Sequence, residues 1–377
     1  MKSLSQEQKK QLLDYKQFIA KELSHLGDNS VGENQLSPLF IKKLKIAKLL
    51  GSLVPTQYLG AELDYILYGL LSKEVGKVSP ALRALLTVHD MVCLAIYLFA
   101  DDNIKDRWLP QLSRGEAIAA YALSEDNSGS DIHQIEARLE ADAKGFLLNG
   151  VKQWISYADI ADLFLVFAKF NDQPVAVLVP SNALGVEIRK LDNTVSETWS
   201  SVNEIKFKNV KTAKEDIIGG IGAGFSLVAN QTLTLGRYSI AWSNLGILES
   251  CFSSCRSYAN RRIVDGKPLS CYQLTQKKFT DMIVDIKSVQ LLCLEAGQQM
   301  NESILSAMPH VMVAKYKSSK SAVWAANECM QLHGARAFDN NNPFKKWLLE
   351  AKLSEVIEGS REIHQINIPQ LFGDNIE

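Results

Sequence analysis

The sequence predicts an α+β chain in which a helical segment, a β segment and a second helical segment follow one another. Three observations predict it. Up to about residue 115, apolar side chains recur three or four apart, as in Leu12, Tyr15, Phe18, Ile19 and Leu23, the stripe of a half-buried helix. From about Glu116, short β-prone runs are separated by Gly, Asn, Asp or Pro. After Gly224 the helical period returns. The order differs from the βαβα alternation of a dinucleotide-binding fold.

Taken in order, the first segment carries turn signals at Gly27–Asp28–Asn29 and Pro55, while Pro80 suits a first helical turn. Met91–Ala100 is the most apolar stretch, flanked by Asp90, Asp101 and Asp102. It is too short to cross a bilayer and reads as a buried helix. In the second segment, Ile118–Leu123, Phe146–Leu148, Leu163–Phe170, Val175–Val179 and Val186–Leu191 are strand-like, and Val202, Ile205, Phe207 and Val210 alternate. A compact antiparallel sheet or barrel is expected. The third segment offers helices over Phe225–Arg262, Tyr272–Asn301, His310–Leu332 and Pro343–Ile366, enough for a bundle. The expected domains are an N-terminal helical domain over 1–115, a central β domain over 116–220 and a C-terminal helical bundle over 221–377. Between the last two, Gly219–Gly220–Ile221–Gly222–Ala223–Gly224 has the spacing G-x-G-x-G with no Walker lysine after it. It reads as a flexible connection rather than a phosphate cradle.

The 377 residues are 46% hydrophobic and 22% charged, the balance of a soluble globular protein. Lysine and arginine number 41 against 42 acidic residues, so neither nucleic acid nor an anionic membrane is an expected partner. Lys42, Lys43, Lys45 and Lys48 sit at helical spacing, as a solvated face or a docking patch. Met1–Leu23 lacks the apolar core of a signal peptide, and a cytoplasmic location is expected. Cys93, Cys251, Cys255, Cys271, Cys293 and Cys329 form no C-x-x-C pair, and the six histidines are scattered. Buried free thiols are expected, with no metal site.

Two segments carry chemistry. Tyr121-Ala-Leu-Ser-Glu-Asp-Asn-Ser-Gly-Ser-Asp131 joins a strand-like run to a loop rich in hydroxyls, which suits the polar edge of a planar cofactor or a pyrophosphate, or simply a capped turn. In Asn149-Gly-Val-Lys-Gln-Trp-Ile-Ser156, Asn149–Gly150 signals a hairpin turn, which puts Trp154 and Ser156 on one strand face. A tryptophan beside a hydroxyl can wall a flat ligand, although a strand tryptophan is more often core.

These segments resemble the T-E-P-x-A-G-S-D and N-G-x-K-x-W-I-T patterns of acyl-CoA dehydrogenases. Arg262-Ile-Val-Asp-Gly-Lys-Pro-Leu-Ser-Cys-Tyr-Gln273 is similar to that family's R-x-x-F-G-x-P-L-x-x-F-Q. Val356-Ile-Glu-Gly-Ser-Arg-Glu362 resembles its I-Y-E-G-T-x-E. The resemblance implies an acyl-CoA dehydrogenase-like fold with an N-terminal helical domain, a central β-barrel or sheet domain and a C-terminal four-helix bundle. It also implies bound FAD. Tyr121, Leu123, Ser124, Gly129 and Ser130 would line the flavin ring and the substrate, and Trp154 and Ser156 would contact the ring. Arg262 and Gln273 would reach the FAD of a neighbouring subunit, with Gln331 and Gly334 at its phosphate end. Ser360 and Glu362 would complete the contacts in a homodimer or tetramer.

Glu358 is the implied catalytic base, removing the proton α to a thioester carbonyl while hydride leaves the β carbon. Some family members carry the base just before an arginine on an earlier helix; here that arginine is Arg237 and Gly236 precedes it. Arg237 would lie near the thioester, or be a surface cation. The sequence departs from the pattern at Asp126, Asn127, Asp265, Ala335, Ala337 and Leu349–Glu350.

Leu235-Gly-Arg-Tyr-Ser-Ile-Ala-Trp242, Gly246-Ile-Leu248 with Cys251, Tyr157-Ala-Asp-Ile-Ala-Asp162 and Ser354–Ser360 look closer to acyl-carrier-protein dehydrogenases that make hydroxymalonyl- or methoxymalonyl-type polyketide extender units. That branch implies an acyl carrier protein as partner and an alcohol or aldehyde as the oxidised group. A CoA-linked fatty or branched-chain acyl dehydrogenase, a flavin oxidase or monooxygenase, and a scaffold that has lost FAD stay open. An electron-transferring flavoprotein is the family's usual acceptor.

Overall fold

The computed structural model describes residues 4–23, 38–191 and 202–373. The expected turn at Gly27–Asp28–Asn29 lies outside them. N-terminal helices, a middle sheet and C-terminal helices follow in the order the hydrophobic periods predict. In space the chain forms two compact units, one drawn from residues 31–64 and 81–236, the other from 1–30, 65–80 and 237–377.

The sheet unit holds helices α2 (Pro38–Ile46) and α5 (Asp102–Ser113) and most of α4 (Pro80–Phe99). Pro80 opens α4, where its missing N–H costs nothing. α4 is long and apolar enough to cross a membrane by composition alone, but 72% of its most apolar window is buried inside the protein. The Asp101 side chain caps α5 by accepting from the Ile104 amide at 2.9 Å.

Strands β1 (Ala119–Ala122), β2 (Arg138–Asp142), β3 (Gly145–Ser156), β4 (Leu163–Phe170), β5 (Gln173–Pro180), β6 (Val186–Lys190), β7 (Val202–Thr212) and β8 (Ile217–Ile218) form one sheet. Its order is β6-β7-β3-β2-β4-β5-β8. The sheet is mixed rather than antiparallel throughout, because β1 and β2 both pair parallel to β4. The β2–β3 hairpin sits in the connection between β1 and β4, so β1 reaches its partner by a crossover. Leu163–Ala168 are all buried, which explains why β4 reads as an unbroken apolar run. Phe164, Val166, Val177, Ile205 and Phe207 belong to the core of this sheet.

The Asn149–Gly150 turn expected from the sequence does not form. The pair lies inside β3 at a register shift between Leu148 and Gly150, and the turn falls earlier, between Asp142 and Gly145. The Asn149 amide is spent across the strands: its Oδ1 accepts from the Asn209 amide at 2.9 Å and its Nδ2 donates to Asn209 Oδ1 at 3.1 Å. Gly150 has φ +148, and a Cβ there would stand 2.6 Å from Ala137. The glycine marks a β-bulge, not a hairpin. The glycine run after β8 makes a tight connection: Gly219 N donates to Phe99 O and Gly222 N to Pro174 O.

The helical unit contains α1 (Gln6–Phe18), α3 (Tyr65–Val78), α6 (Asn230–Arg261) from Arg237 on, α7 (Gln273–Glu302), α8 (Ile304–His333), α9 (Phe344–Val356) and α10 (Arg361–Phe372). A short hairpin of β9 (Ile263–Val264) and β10 (Lys267–Pro268) joins α6 to α7. One continuous helix was expected over Pro343–Ile366; instead α9 and α10 are separated by a turn with Glu358 at φ +56 and Gly359 at φ +96. α3 and α6 approach so closely that Gly69 abuts the Trp242 indole and Gly76 abuts Ser243. Tyr238 and Trp242 are fully buried there, and the Tyr238 hydroxyl donates to the Tyr65 carbonyl at 3.0 Å.

A methyl group at position 69 has nowhere to go. Gly69→Ala is expected to cost about 1–3 kcal/mol through overpacking, outweighing the roughly 1 kcal/mol that alanine adds in helix propensity. Thermal denaturation should show a lower Tm than wild type.

Candidate active site

In the sheet unit, β1 runs into the loop Leu123–Asp131, which a buried ion pair fastens to β3. Lys152 Nζ donates to Glu125 Oε1 at 2.7 Å and to the Leu123 carbonyl at 2.9 Å. The Glu125 carboxylate also accepts the backbone amides of Glu136 and Ala137 at 2.6 and 3.1 Å. Lys152 is 0% and Glu125 7% exposed. Burial pulls the Lys152 ammonium down to about 8, and Glu125 opposes that fall. Glu125 and Ser128 exchange backbone hydrogen bonds, and Gln153 N donates to the Ser124 carbonyl at 2.9 Å. Gly129 and Ser130 are left exposed at the loop's tip, and no atom lies within 4 Å of where a Gly129 Cβ would stand.

Next to that loop a second register shift, between Lys152 and Ile155, turns Trp154 out of the sheet. Its φ is +62, a strained conformation for a bulky residue, and its side chain is 55% exposed. Trp154 and half-buried Ser156 flank the buried Ile155, so the indole and the hydroxyl share the open side. Tyr121 and Leu123 are buried, and the Tyr121 hydroxyl lies 2.9 Å from Thr232 Oγ1. An open indole face beside exposed backbone, glycine and serine hydroxyl fits a planar ring system with a polar edge, the character of FAD.

In the helical unit the turn after α9 is held at three successive carbonyls. Arg237 Nε donates to Glu358 O at 3.0 Å, Lys315 Nζ to Gly359 O at 2.6 Å, and His364 Nδ1 to Ser360 O at 2.9 Å. The donors come from α6, α8 and α10. Arg237 is therefore neither a free surface cation nor remote from the expected base. Ser360 also caps α10, its hydroxyl accepting from the Ile363 amide at 3.3 Å. A Cβ at Gly359 would meet the His364 ring at 3.0 Å, so glycine is required both by space and by φ.

Lys315 is 1% exposed, and burial brings its ammonium down to about 7, with Glu358 raising it, Arg237 lowering it and Glu355 raising it. His364 is fully buried; burial first and Lys315 second bring its imidazole down to about 4, so it is neutral at pH 7. The remaining expected residues lie apart from this turn in the chain. Arg262 and Gln273 flank the β9–β10 hairpin, and Gln331 and Gly334 end α8; all four are exposed, as is Glu362. Gly334 takes φ +61 as the residue that stops α8.

Sequence reading passed over four residues here. Glu125 and Lys152 stood inside quoted motifs without a role. Lys315 carried a legible signal, since it lies on the buried helix stripe of Val311, Met312, Ser318, Ser319 and Ala322. His364 carried none, because Arg361, Glu362 and Gln365 nearby give its segment the look of an exposed helix end.

Lys152→Met leaves the Glu125 carboxylate buried beside two amides without its cation. A loss of about 3–5 kcal/mol is expected, read as a lower denaturation midpoint together with a lower flavin-to-protein ratio. Lys315 gives a pH signature. Between about pH 7 and its ordinary value of 10.5, the unfolded chain holds a proton there that the folded chain has released. The contribution of this group to stability therefore rises with pH across that window. Urea denaturation of Lys315→Met at stepped pH should lack that rise.

Three family models match the chain in register with this architecture: acyl-CoA dehydrogenase, N-terminal domain, over residues 5–116; middle domain, over 120–210; and C-terminal domain, over 222–370. The chain is 29% identical over 357 residues to an acyl-CoA dehydrogenase of Bacillus subtilis, covering 93% of this chain and 94% of that one. Butyryl-CoA dehydrogenase from Megasphaera elsdenii has a similar structure, with a TM-score of 0.91, 25% identity and 98% of each chain covered. The prolyl acyl carrier protein oxidase AnaB also superimposes with a TM-score of 0.91, at 21% identity over 98% of this chain and 100% of that one. With matching domains along nearly its whole length, the chain belongs to the acyl-CoA dehydrogenase family, whose members are FAD-dependent oxidoreductases that dehydrogenate acyl thioesters.

Proposed function

We propose that Glu358 is the base that removes the α proton of an acyl thioester, and that the acyl group rides on the phosphopantetheine arm of an acyl carrier protein in polyketide extender-unit synthesis. The observation that carries the catalytic part is the turn itself. Three side-chain donors on three helices hold the carbonyls of residues 358, 359 and 360, so the base keeps its place from one turnover to the next. FAD supplies the acceptor for the hydride that leaves the β carbon.

The chain's own residues divide the remaining work. Trp154 and Ser156 cover the ring, and Tyr121, Leu123, Ser124, Gly129 and Ser130 line its polar edge and the substrate. Ser130 and Arg237 meet the thioester. Ser360 and Glu362 contact the cofactor, while Arg262, Gln273, Gln331 and Gly334 reach the FAD of a second copy in a homodimer or tetramer. Where the oxidised bond is that of an alcohol or aldehyde hydrate, Glu358 takes the O–H proton instead. An electron-transferring flavoprotein accepts the electrons, and the protein works in the cytoplasm.

Two lines support the carrier-bound substrate. The stretches Leu235–Trp242, Tyr157–Asp162 and Ser354–Ser360 resemble those of carrier-protein dehydrogenases. A carrier-protein oxidase also shares the fold. The CoA-linked alternative draws support from relatives named as acyl-CoA dehydrogenases, at 28–29% identity.

Anaerobic bleaching of the oxidised flavin band separates these readings. Bleaching by a hydroxylated three-carbon acyl-carrier-protein thioester, and not by its CoA counterpart, is the expected result; bleaching by simple acyl-CoA would move the protein to the fatty-acid branch. Glu358→Gln should keep bound FAD and slow the bleaching by about 10²–10⁴-fold. Wild-type bleaching by that variant would remove Glu358 from the catalytic role.

A further inference from the structure

Two buried helix faces in the helical unit bring together side chains that the sequence scatters. Cys251 and Cys255 lie one turn apart on α6, and Cys329 and His333 one turn apart on α8. The ligand atoms of Cys255, Cys329 and His333 all lie within 4.8 Å of one another. Cys251 is fully buried, one turn before Cys255 on α6. His333 Nδ1 stands 3.8 Å from Cys329 Sγ. A tetrahedron with zinc–sulfur and zinc–nitrogen bonds of ordinary length has an edge of about 3.6 Å.

The imidazole is held for the purpose. Its ring lies between Tyr258 and Phe344, with centroids 4.5 and 4.2 Å away and tilts of 33° to each. Nε2 lies 3.3 Å from Ser254 Oγ, so ligation through Nδ1 places the ring proton on Nε2, facing an acceptor. The Cys329 carbonyl, now 2.7 Å from Nδ1, is the partner given up. Ser254, Tyr258, His333 and Phe344 also line an open cavity of about 800 Å³, which gives an ion a way in.

We propose that Cys255, Cys329 and His333, with Cys251 as the fourth ligand, form a structural site for a tetrahedral, thiophilic divalent cation of the zinc type that cross-links α6 to α8. Thiolates with one imidazole select such an ion over magnesium or calcium. Binding is not a redox step. Each thiol gives its proton to solvent as its sulfur–metal bond forms, and the cation keeps its charge. Helical bundles build metal sites in their cores from side chains on facing helices. This inference does not depend on Glu358 or on the carrier protein.

The test uses the full-length flavoprotein purified under reducing conditions from zinc-supplemented culture. About one zinc per chain by elemental analysis is expected, with loss of it in Cys255→Ser and in Cys329→Ser while FAD content stays at the wild-type level. Exchange with cobalt(II) should give tetrahedral ligand-field bands to the red of the flavin spectrum, which settles the matter even where a serine variant fails to fold. Wild-type protein without zinc and without cobalt bands would overturn the site and leave the thiols as apolar packing. Zinc retained by both folded variants would overturn it equally, by placing the ion elsewhere.

Discussion

The turn between α9 and α10 rests on one constraint: two consecutive backbone carbonyls, those of Glu358 and Gly359, that must be satisfied at the point where a helix breaks. α9 ends with Glu358 and Gly359 in left-handed conformations, at φ +56 and +96, which turn the chain sharply before α10. Such a break leaves carbonyl groups without helical partners, and leaving them unpaired in a partly buried position costs free energy. Arg237 and Lys315 supply the missing donors to the Glu358 and Gly359 carbonyls, while the Ser360 carbonyl accepts the His364 backbone amide of α10 as well as the His364 ring. The same bonds tie α6 and α8 to the turn, so packing of these helices and placement of residue 358 are one problem with one solution.

Lys315 and Lys152 show two ways to tolerate a buried cation. Lys152 is paired directly with Glu125 at 2.7 Å, and the carboxylate is further satisfied by two backbone amides. The ammonium meets two acceptors and the carboxylate three donors, the kind of pairing that a buried ion pair needs. Lys315 instead meets a carbonyl dipole, with Glu358 and Glu355 acting at longer range and Arg237 opposing them. In both, burial pulls the ammonium below its ordinary value, to about 8 at Lys152 and about 7 at Lys315, and a nearby carboxylate opposes the fall. The first lysine ties a loop to a strand; the second ties the turn after α9 to α8 and carries a proton that is sensitive near neutral pH.

Two of the described non-glycine residues with positive φ stand in the candidate site. Trp154 and Glu358 are non-glycine residues with φ of +62 and +56, and each is flanked by structure that holds it there. At Trp154 the strain comes from a bulge and points an indole outward; at Glu358 it comes from a helix break and directs a carboxylate.

The sequence by itself determined the helix–sheet–helix order, the bounds of β4 and the starts of α4 and α7, because hydrophobic period and proline position act locally. It also determined the family, since four short motifs stand in fixed order. It misplaced the turn near Asn149 because a local Asn–Gly preference loses to side-chain bonds with Asn209, sixty residues away. It ran one helix through Glu358, whose residue type does not announce a positive φ. The partners of Glu125 and Lys152, the donors under the 358–360 turn and the meeting of Cys255, Cys329 and His333 were decided only by the tertiary structure. Lys152 and Glu125 are 27 residues apart along the chain, Lys315 and Gly359 are 44 apart, and Arg237 and Glu358 are 121 apart, and nothing in a local pattern records which buried polar groups will complete one another.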